Sequence, residues 1–415
     1  ESKLSAGIVV GLREADGRTR ILAWGSPGPD KRPLDGNSVF EIGSITKVFT
    51  GTMLAQMALD GALSLDDPVS KFLPATVKVP ERNGQQITLG HLSTQNSGLP
   101  RMPTNFSPAN VLNPYADYTV QQLYSFLSGY TLTRDPGQLF EYSNVGMGLL
   151  GHALSQSAGS SYEDLVRARI LTPLGMTNTA ITLTPWMSDH LAMGHDPSGN
   201  VTANWDLPSL AGAGALRSTA NDMLKFIAAA ADTTHGPLAK AMALAQRPRM
   251  AAGPGRIGLN WITRFSANDT IVWHNGGTGG YRTFAGVSPR RRVGVVVLTN
   301  SGGAGADDIG FHLLDPSLPL IRQRVAITVS PTVLARYVGQ YQLAPGAVID
   351  IALRGDTLSA QLTGQGRLRI WPESDSTFFY REVDAQIAFV LDAQGVVTGL
   401  VLHQGGQQVR ATKIR

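Results

Sequence analysis

The chain has 415 residues, of which 42% are hydrophobic and 16% charged, a balance that suits a folded protein and argues against extensive disorder. Its 35 Lys and Arg side chains face 31 Asp and Glu, and neither a basic run nor a basic stripe with interleaved aromatics occurs, which argues against nucleic acid as a partner. The absence of Cys excludes disulfides, thiolate metal sites and a cysteine nucleophile but leaves the redox compartment open.

The length predicts one large domain plus a smaller one. No apolar run reaches the roughly 20 residues that a membrane-spanning helix needs. The chain opens at Glu1 directly into fold-like sequence without a signal peptide, which is typical of a processed or trimmed terminus. We therefore expect a periplasmic or secreted protein without a transmembrane segment.

The first 60 residues predict a β-hairpin and then a helix. Residues 6–24 contain two apolar runs around an Asp-Gly turn, which is typical of two paired strands. After a loop rich in Pro, Gly and Asp, residues 45–59 have helical character and end at Asp60-Gly61. Ser44 is therefore predicted to lie at a helix N-terminus.

Helices dominate the middle of the chain, and strands return after it. Between about residues 74 and 210, helical segments such as 120–127 and 162–170 alternate with loops rich in Pro and Gly. Strand patterns follow at residues 270–273, 281–285 and 293–298. A sheet made from both ends of this region, with helices inserted between, predicts an α/β (α+β) fold with helices on both faces of an antiparallel sheet and an additional all-helical region.

The last part of the chain predicts a separate β-domain. Residues 316–331 interrupt the pattern, and short β-like runs separated by turns follow at residues 348–353, 357–362, 368–371, 377–380, 386–391 and 396–403. We predict a small antiparallel barrel or sheet domain over residues 331–415, after a first domain over about residues 1–320.

Ser44 and Lys47 lie three residues apart at the start of the predicted helix, where this spacing places both on one face. A desolvated lysine with a lowered pKa can take the proton of a serine hydroxyl, and a helix N-terminus favours negative charge developing there. A helix cap followed by a surface lysine would explain the tetrapeptide equally well, because this spacing is expected about once by chance in a chain of this length.

Tyr142 and Asn144 form the only Tyr-x-Asn of the chain, between a Pro-Gly pair and an apolar run with helical character. A phenol near a lysine ammonium can be held as phenolate and can act first as general base and then as general acid toward a leaving group. Asn144 is expected to orient Lys47 or a substrate carbonyl. A buried tyrosine followed by a capping asparagine is the alternative for this motif taken alone.

The sequence His274-Asn275-Gly276-Gly277 directly follows the predicted strand at residues 270–273. Glycines at a strand edge let a substrate backbone approach closely, and we expect the Gly277 N–H to face that of Ser44 and complete an oxyanion hole. A second His-x-Gly occurs in the C-terminal β-domain, so the tripeptide alone has little specificity.

With these three elements, the chain resembles the serine β-lactamase and penicillin-binding-protein superfamily, particularly class C β-lactamases, serine DD-peptidases and family VIII carboxylesterases. Roughly residues 5–310 carry the resemblance. Its ordered segments are VFEIGSITKV at 39–48, GALSLDDP at 61–68, SGLP at 97–100, PGQLFEYSN at 136–144, LGM at 174–176 and AGAGALRSTA at 211–220. The C-terminal domain is similar to the lipocalin-like extension of many members, to which no function is attached.

The resemblance implies that Ser44 is the nucleophile and that Lys47 and Tyr142 form its proton-transfer pair. It implies the backbone N–H groups of Ser44 and Gly277 as the oxyanion hole. The residues implied in substrate binding are Asn144, His274, Asn275 and Gly276.

One departure from the family pattern affects the substrate. His274 occupies the position where lactamases usually carry the Lys of Lys-Thr-Gly, and a histidine with a reference pKa of about 6.5 is mostly neutral at neutral pH. Efficient β-lactamase activity is therefore in question, although some peptidases of the group carry His there. Arg282 could supply the missing charge, and a solvated strand residue is the alternative.

The resemblance implies a serine hydrolase that cleaves a β-lactam or a D-amino-acid peptide amide, like a β-lactamase or a D-alanyl-D-alanine carboxypeptidase. The alternatives are a family VIII carboxylesterase that hydrolyses small carboxylic esters and a non-catalytic penicillin-binding or sensor protein. The expected partner is a small-molecule substrate, and the oligomeric state is left open. We expect no cofactor and no metal ion, because the eight His are scattered along the chain.

Two further patterns bear on competing functions. GMGLLG at residues 146–151 matches a dinucleotide fingerprint in letters, but it follows Tyr-Ser-Asn rather than a strand, so close helix packing is the better explanation. The chain contains no Gly-x-Ser-x-Gly, which argues against a nucleophile-elbow hydrolase.

Overall fold

The structure is a computed structural model, and it describes residues 5–29, 32–266, 269–303, 305–320, 324, 326–381, 383, 385–404 and 407–415. The described chain forms two compact units, which divide at residue 320. No helix among the described residues combines the length and the apolar composition needed to cross a membrane.

The first unit contains both strands and helices. Its strands are β1 (Gly7–Arg13), β2 (Thr19–Gly25), β3 (Val39–Glu41), β4 (Glu81–Arg82), β5 (Gln85–Gln86), β6 (Arg217–Thr219), β7 (Met250–Ala252), β8 (Gly255–Ile257), β9 (Ile262–Phe265), β10 (Thr270–Gly277), β11 (Arg282–Ser288) and β12 (Val293–Thr299). Its helices are α1 (Thr46–Leu59), α2 (Leu89–Ser93), α3 (Val120–Gly129), α4 (Asn144–Ala158), α5 (Tyr162–Val166), α6 (Thr172–Leu174), α7 (Pro185–His190), α8 (Ala211–Gly214), α9 (Ala220–Ala231), α10 (Ala239–Gln246) and α11 (Asp307–Leu314). A 3-10 turn at Gly43–Ile45 leads into α1, a second lies at Val69–Phe72, and a π-helical turn at Arg167–Leu171 joins α5 to α6.

Eight strands form one antiparallel sheet in the order β2-β1-β12-β11-β10-β9-β8-β7. The first strand of the chain therefore lies beside the last strand of the unit, and Val9 pairs with Leu298. This confirms the predicted mixed fold, in which both ends of the region contribute to one sheet.

Helices cover both faces of this sheet. Val296 and Leu298 of β12 point into the main core with α1 and α9. Val295 and Val297 pack on the opposite face against Phe311 of α11. A strand covered on both faces needs a continuous apolar run rather than alternation, which explains the sequence of β12.

Helix α4 contains the six residues that match the dinucleotide fingerprint in letters. A Cβ on Gly148 would lie 2.4 Å from a methyl carbon of Leu210, and a Cβ on Gly151 would lie 2.8 Å from the Cα of Gly212. These glycines let α4 pack closely against α8 and the residue before it, as the alternative explanation of the pattern predicted.

Strand β10 is longer than the sequence predicted. It continues beyond Trp273 through Gly277, so the His-Asn-Gly-Gly segment lies within the strand rather than after it. Glycines usually weaken strands, which is why the prediction ended early. Pairing with β11 nevertheless continues, and a Cβ on Gly276 would lie only 2.0 Å from the Ile42 carbonyl oxygen, so close packing requires glycine there.

The second unit begins with α12 (Pro331–Ala335) and continues with strands only. These are β13 (Gly339–Ala344), β14 (Ala347–Arg354), β15 (Thr357–Leu362), β16 (Leu368–Pro372), β17 (Thr377–Phe379), β18 (Ala385–Leu391), β19 (Val397–Gln404) and β20 (Gln407–Lys413). They form a closed barrel, which the pairing of Tyr341 with Lys413 between β13 and β20 completes. The predicted antiparallel barrel is confirmed, and the sequence pattern had missed its first and last strands.

Aromatic side chains fill the barrel. Tyr337 stacks on Phe389 with ring centres 4.2 Å apart, and Phe378 meets Phe389 edge to face at 5.5 Å. All three side chains are buried. The barrel therefore has a packed core of its own, of the kind expected when eight strands close on themselves.

Candidate active site

Ser44 lies in the 3-10 turn that leads directly into α1, so its backbone N–H is at the positive end of that helix. Gly43 before it has a φ of +49°, and a Cβ there would lie 2.8 Å from the backbone nitrogen of Gly277. A side chain at position 43 would push the turn away from β10, which explains the glycine. The half-buried Ser44 is thus held against the strand that carries the His-Asn-Gly-Gly segment.

Lys47 is fully buried on the first turn of α1, and its ammonium nitrogen has three oxygen neighbours. Nζ lies 3.0 Å from Ser44 Oγ, 2.9 Å from Asn144 Oδ1 and 2.7 Å from the Ala213 carbonyl oxygen. Burial, and secondarily the positive charge of Arg101, hold the pKa of Lys47 well below its usual value. Both effects favour the neutral amine over the ammonium.

Tyr142 lies beside both groups, two residues before α4. Its phenol hydrogen-bonds to Ser44, and Lys47 Nζ lies 4.7 Å from the centre of its ring. Burial raises the pKa of Tyr142 to about 12, and its hydrogen bond to Ser44 offsets this only in part. Burial therefore disfavours the phenolate considered for Tyr142 and supports the lowered lysine pKa that the sequence analysis also considered.

Gln95 holds the chain that carries Tyr142, and the sequence had given no sign of it. The Gln95 carbonyl accepts the Glu141 N–H, and its side-chain Oε1 accepts the Ser143 N–H, each at 2.7 Å. Its amide also donates to Asn260 Oδ1 at 2.9 Å. Gln95 is buried and has a φ of +58°, a conformation uncommon for a residue with a side chain.

Strand β10 presents an open edge to Ser44. Strand β9 pairs with β10 only as far as Trp273, while β11 pairs with it through Gly277. The Thr278 N–H donates to the Tyr281 carbonyl on the β11 side at 3.1 Å. Because N–H groups alternate between the two sides of a strand, the Gly277 N–H points toward the open edge, next to the turn that carries Ser44.

His274 is buried on the same strand, with its ring centre 6.4 Å from that of Tyr142. Its Nδ1 lies 2.6 Å from the Asn275 carbonyl oxygen, which can only accept, so Nδ1 carries the proton. Burial is the main cause that lowers the pKa of His274 to about 3, and any positive charge on the neighbouring Lys47 acts in the same direction. His274 is therefore neutral at physiological pH and supplies no positive charge.

The structure directs Asn275 away from the other predicted residues. Side chains alternate along β10, and Asn275 Nδ2 donates to Asp307 Oδ2 on α11 at 2.6 Å, on the sheet face opposite α1. Arg282 pairs with Gly277, and its Nη1 donates to the carbonyls of Thr278 and Tyr281 at 2.8 and 3.0 Å. The structure brings the remaining predicted residues together. They are Ser44, Lys47, Tyr142, Asn144, His274, Gly276 and Gly277.

Three groups that contact this site were not singled out from the sequence. They are the Ala213 carbonyl of α8, Gln95, and Arg101, whose guanidinium lies 5.1 Å from the centre of the Tyr142 ring. Ala213 lies within the family-like segment 211–220, and Arg101 directly follows the segment 97–100. Their places in or beside these segments were the only indication in the sequence that they contact the site. No group of three or more His, Asp or Glu side chains suited to a metal ion occurs among the described residues.

Comparisons with known proteins match both parts of the chain. A sequence profile described as Beta-lactamase matches residues 6–314, which is more than half of the chain. A second profile, described as Domain of unknown function (DUF3471), matches residues 323–413.

Individual proteins are similar over most of their length. Penicillin-binding protein 4* of Bacillus subtilis (strain 168) is 26% identical, over 93% of this chain and 90% of the relative. The D-alanyl-D-alanine-carboxypeptidase/endopeptidase AmpH of Escherichia coli (strain K12) is 31% identical, over 69% of this chain and 78% of the relative. The crystal structure of a beta-lactamase/D-alanine carboxypeptidase from Yersinia pestis, complexed with citrate, superposes with a TM-score of 0.62 at 28% identity, covering 72% of this chain and 88% of that one.

Proposed function

The chain belongs to the beta-lactamase family and is a serine hydrolase, and from this we propose that Ser44 forms an acyl-enzyme with a β-lactam or a D-amino-acid peptide amide. Water then hydrolyses the ester. The observation that carries the proposal is the 3.0 Å distance between Ser44 Oγ and Nζ of the buried Lys47. The match of the Beta-lactamase profile to residues 6–314 confirms the family resemblance inferred from the ordered motifs. Similar proteins named for β-lactamase or D-alanine carboxypeptidase activity support the substrate class.

Lys47 is positioned to take the proton of Ser44. Asn144 Oδ1 and the Ala213 carbonyl oxygen can only accept hydrogen bonds, so they occupy both N–H groups of a neutral amine. The nitrogen lone pair is then left for the Ser44 hydroxyl. As Ser44 Oγ bonds to the scissile carbonyl carbon, the hydroxyl proton moves to Lys47, which becomes an ammonium.

The backbone stabilises the charge that develops in this step. The tetrahedral oxyanion lies between the N–H groups of Ser44 and Gly277, one at a helix N-terminus and the other at the open edge of β10. Fixed donors of this kind stabilise the transition state because they need no reorganisation.

Tyr142 is suited to protonate the leaving nitrogen, since it keeps its proton at neutral pH. It donates that proton as the C–N bond breaks and regains one from the Lys47 ammonium close to its ring. In deacylation, water attacks the ester carbonyl, Lys47 takes the water proton, and the proton passes to Ser44 Oγ as the acid leaves. One water is consumed; a peptide amide releases a separate amine and acid, whereas a β-lactam, whose nitrogen stays tethered, gives a single ring-opened acid.

Small carboxylic esters are the second candidate substrate, because the neutral His274 offers no charge to a substrate carboxylate. A non-catalytic penicillin-binding or sensor role is the third, and the close set of Ser44, Lys47 and Tyr142 argues against it. A chromogenic cephalosporin, D-Ala-D-Ala peptides and short-chain nitrophenyl esters, assayed side by side, separate the three.

Multiple turnovers of the cephalosporin or the peptide, abolished by Ser44→Ala, are the expected result. Turnover of esters only would overturn the ranking, and ligand binding without turnover would favour the sensor. Mass spectrometry after exposure to penicillin is expected to place the adduct on Ser44.

Two further predictions from the sequence stay proposals. They are a periplasmic or secreted location and domain limits at about residues 1–320 and 331–415. Cell fractionation with antibody detection tests the first. Limited proteolysis followed by mass spectrometry tests the second, with cleavage expected between the two segments.

A further inference from the structure

The positive charges around Ser44 are not arranged as the family pattern suggests. His274 is neutral, and Lys47 directs its nitrogen to three oxygen neighbours within the protein. Arg282 is engaged with the Thr278 and Tyr281 carbonyls. None of these three groups is a free cation for a substrate.

Arg101 is such a cation. Its backbone carbonyl accepts the Asn144 N–H at 2.9 Å, which fixes the residue at the start of α4 beside the site. Its guanidinium lies 5.1 Å from the centre of the Tyr142 ring, and its charge acts on both Lys47 and Tyr115. The side chain is exposed, and no carboxylate of the described residues pairs with it.

We infer that Arg101 binds a carboxylate of the substrate and makes this site selective for anionic acyl-transfer substrates. The inference rests on the proposed acylation of Ser44. A guanidinium binds carboxylates through two parallel N–H donors, which gives orientation as well as attraction. Arg101 therefore takes the role that a lysine at position 274 would have.

The position of Arg101 also specifies which part of the substrate carries the carboxylate. Tyr142 hydrogen-bonds to Ser44 and is the group suited to protonate the leaving nitrogen, so its side of the cleft faces the departing fragment. Arg101 lies against the ring of Tyr142. The bound carboxylate consequently belongs to the leaving group, as in a peptide that ends in a free D-amino acid, or to the ring fused to a β-lactam.

The test compares benzylpenicillin with its methyl ester, which keeps the scissile bond but lacks the charge. The full-length parent, Arg101→Gln and Arg101→Lys are measured with both. We expect Arg101→Gln to lower kcat/KM for benzylpenicillin by about 30-fold, mainly through KM, and for the methyl ester by no more than about 3-fold. For Arg101→Lys, kcat/KM for benzylpenicillin should lie between those of the parent and Arg101→Gln, because lysine keeps the positive charge but lacks the two parallel N–H donors.

Arg18→Gln is the matched control for loss of one positive charge, since Arg18 lies in the β1–β2 turn and three strands separate β2 from β10. It should leave the preference for the anionic substrate unchanged. Equal losses on both substrates in Arg101→Gln would overturn the inference, because they would show that Arg101 acts only on Lys47 or on folding. Unchanged kinetics would overturn it as well.

If turnover is too slow to follow, the rate of Ser44 adduct formation, measured by mass spectrometry, replaces kcat/KM. Absence of any Ser44 adduct refutes the proposed function and, with it, the inference. Adducts that form at the same relative rates for both substrates in the parent and in Arg101→Gln refute the inference about Arg101 alone.

Discussion

Gln95 binds the main chain on both sides of Tyr142, with one 2.7 Å hydrogen bond to Glu141 and another to Ser143. Neither contact involves the phenol itself. The position of Tyr142, the proposed proton donor, therefore depends on a residue to which the proposed mechanism gives no chemical step.

Gln95→Ala is expected to lower kcat by about 10-fold or more, because small misplacements of a catalytic group are costly. It also leaves the buried Ser143 N–H unpaired, which costs about 1–3 kcal/mol of unfolding free energy. Gln246→Ala is the control: this buried glutamine donates to the Ala230 carbonyl on α9, so its loss should lower stability without lowering kcat. Equal kcat in both variants would contradict the role of Gln95.

Lys47→Arg should abolish acylation, with a loss of at least about 1000-fold, because a guanidinium cannot give up its proton. In the parent, kcat/KM should fall as the pH drops through the lowered pKa of Lys47, since the protonated amine has no lone pair for Ser44. Lys71→Arg, which makes the same substitution in an exposed ion pair with Asp67, is the control and should keep the activity of the parent. Substantial activity of Lys47→Arg at neutral pH, with an unchanged circular dichroism spectrum, would rule Lys47 out as the base.

Gly43→Ala is expected to lower kcat by about 100-fold, since the added carbon displaces the Ser44 turn from the Gly277 N–H. Gly61→Ala is a matched control, because Gly61 has a φ of +73° but its Cβ would meet nothing within 4 Å. Both variants carry backbone strain of about 1–2 kcal/mol. Only Gly43→Ala should lose activity, and equal losses would mean that strain alone is responsible.

His274 should make the protein less stable in acid. Its folded pKa of about 3 lies below the reference value of 6.5, so between these values the unfolded chain binds a proton that the folded protein excludes. Its contribution to stability is therefore complete above pH 6.5 and declines as the pH falls, by about 2 kcal/mol at pH 5.

Denaturant unfolding of the parent and His274→Gln between pH 7 and pH 5 measures this contribution. The variant should lose less stability on acidification than the parent. His235→Gln, which removes an exposed histidine from the turn before α10, should follow the parent. Parallel curves for the parent and His274→Gln would contradict the buried, neutral histidine.

Local patterns carried most of what the sequence could predict. Ser44 and Lys47 are neighbours because helical geometry brings together residues three apart, and the β1–β2 hairpin follows from its Asp-Gly turn. That the strands at both ends of the region share one sheet was also predicted, whereas the direct pairing of β1 with β12 is a finding of the structure.

Contacts between distant segments account for what was missed. Gln95 has a left-handed backbone conformation, and its side chain hydrogen-bonds to the distant Ser143 and Asn260, which nothing in the local sequence indicates. The phenolate considered for Tyr142 is disfavoured because burial raises the pKa of that phenol, whereas the lowered pKa of Lys47 had been considered from the sequence. Desolvation depends on the whole surrounding fold, so it is not visible in a short motif.

The pairing of Val9 with Leu298 also sets when this enzyme can begin to work during synthesis. Residue 44 leaves the ribosome well before β10 and β12, which follow only after some 230 and 250 further residues, at 270–277 and 293–299. Until then β1 has an unpaired edge open to other chains, and Ser44, the proposed nucleophile, lacks Gly277, the proposed second oxyanion donor. A nascent chain stalled before residue 270 is therefore inert as a hydrolase and prone to aggregation.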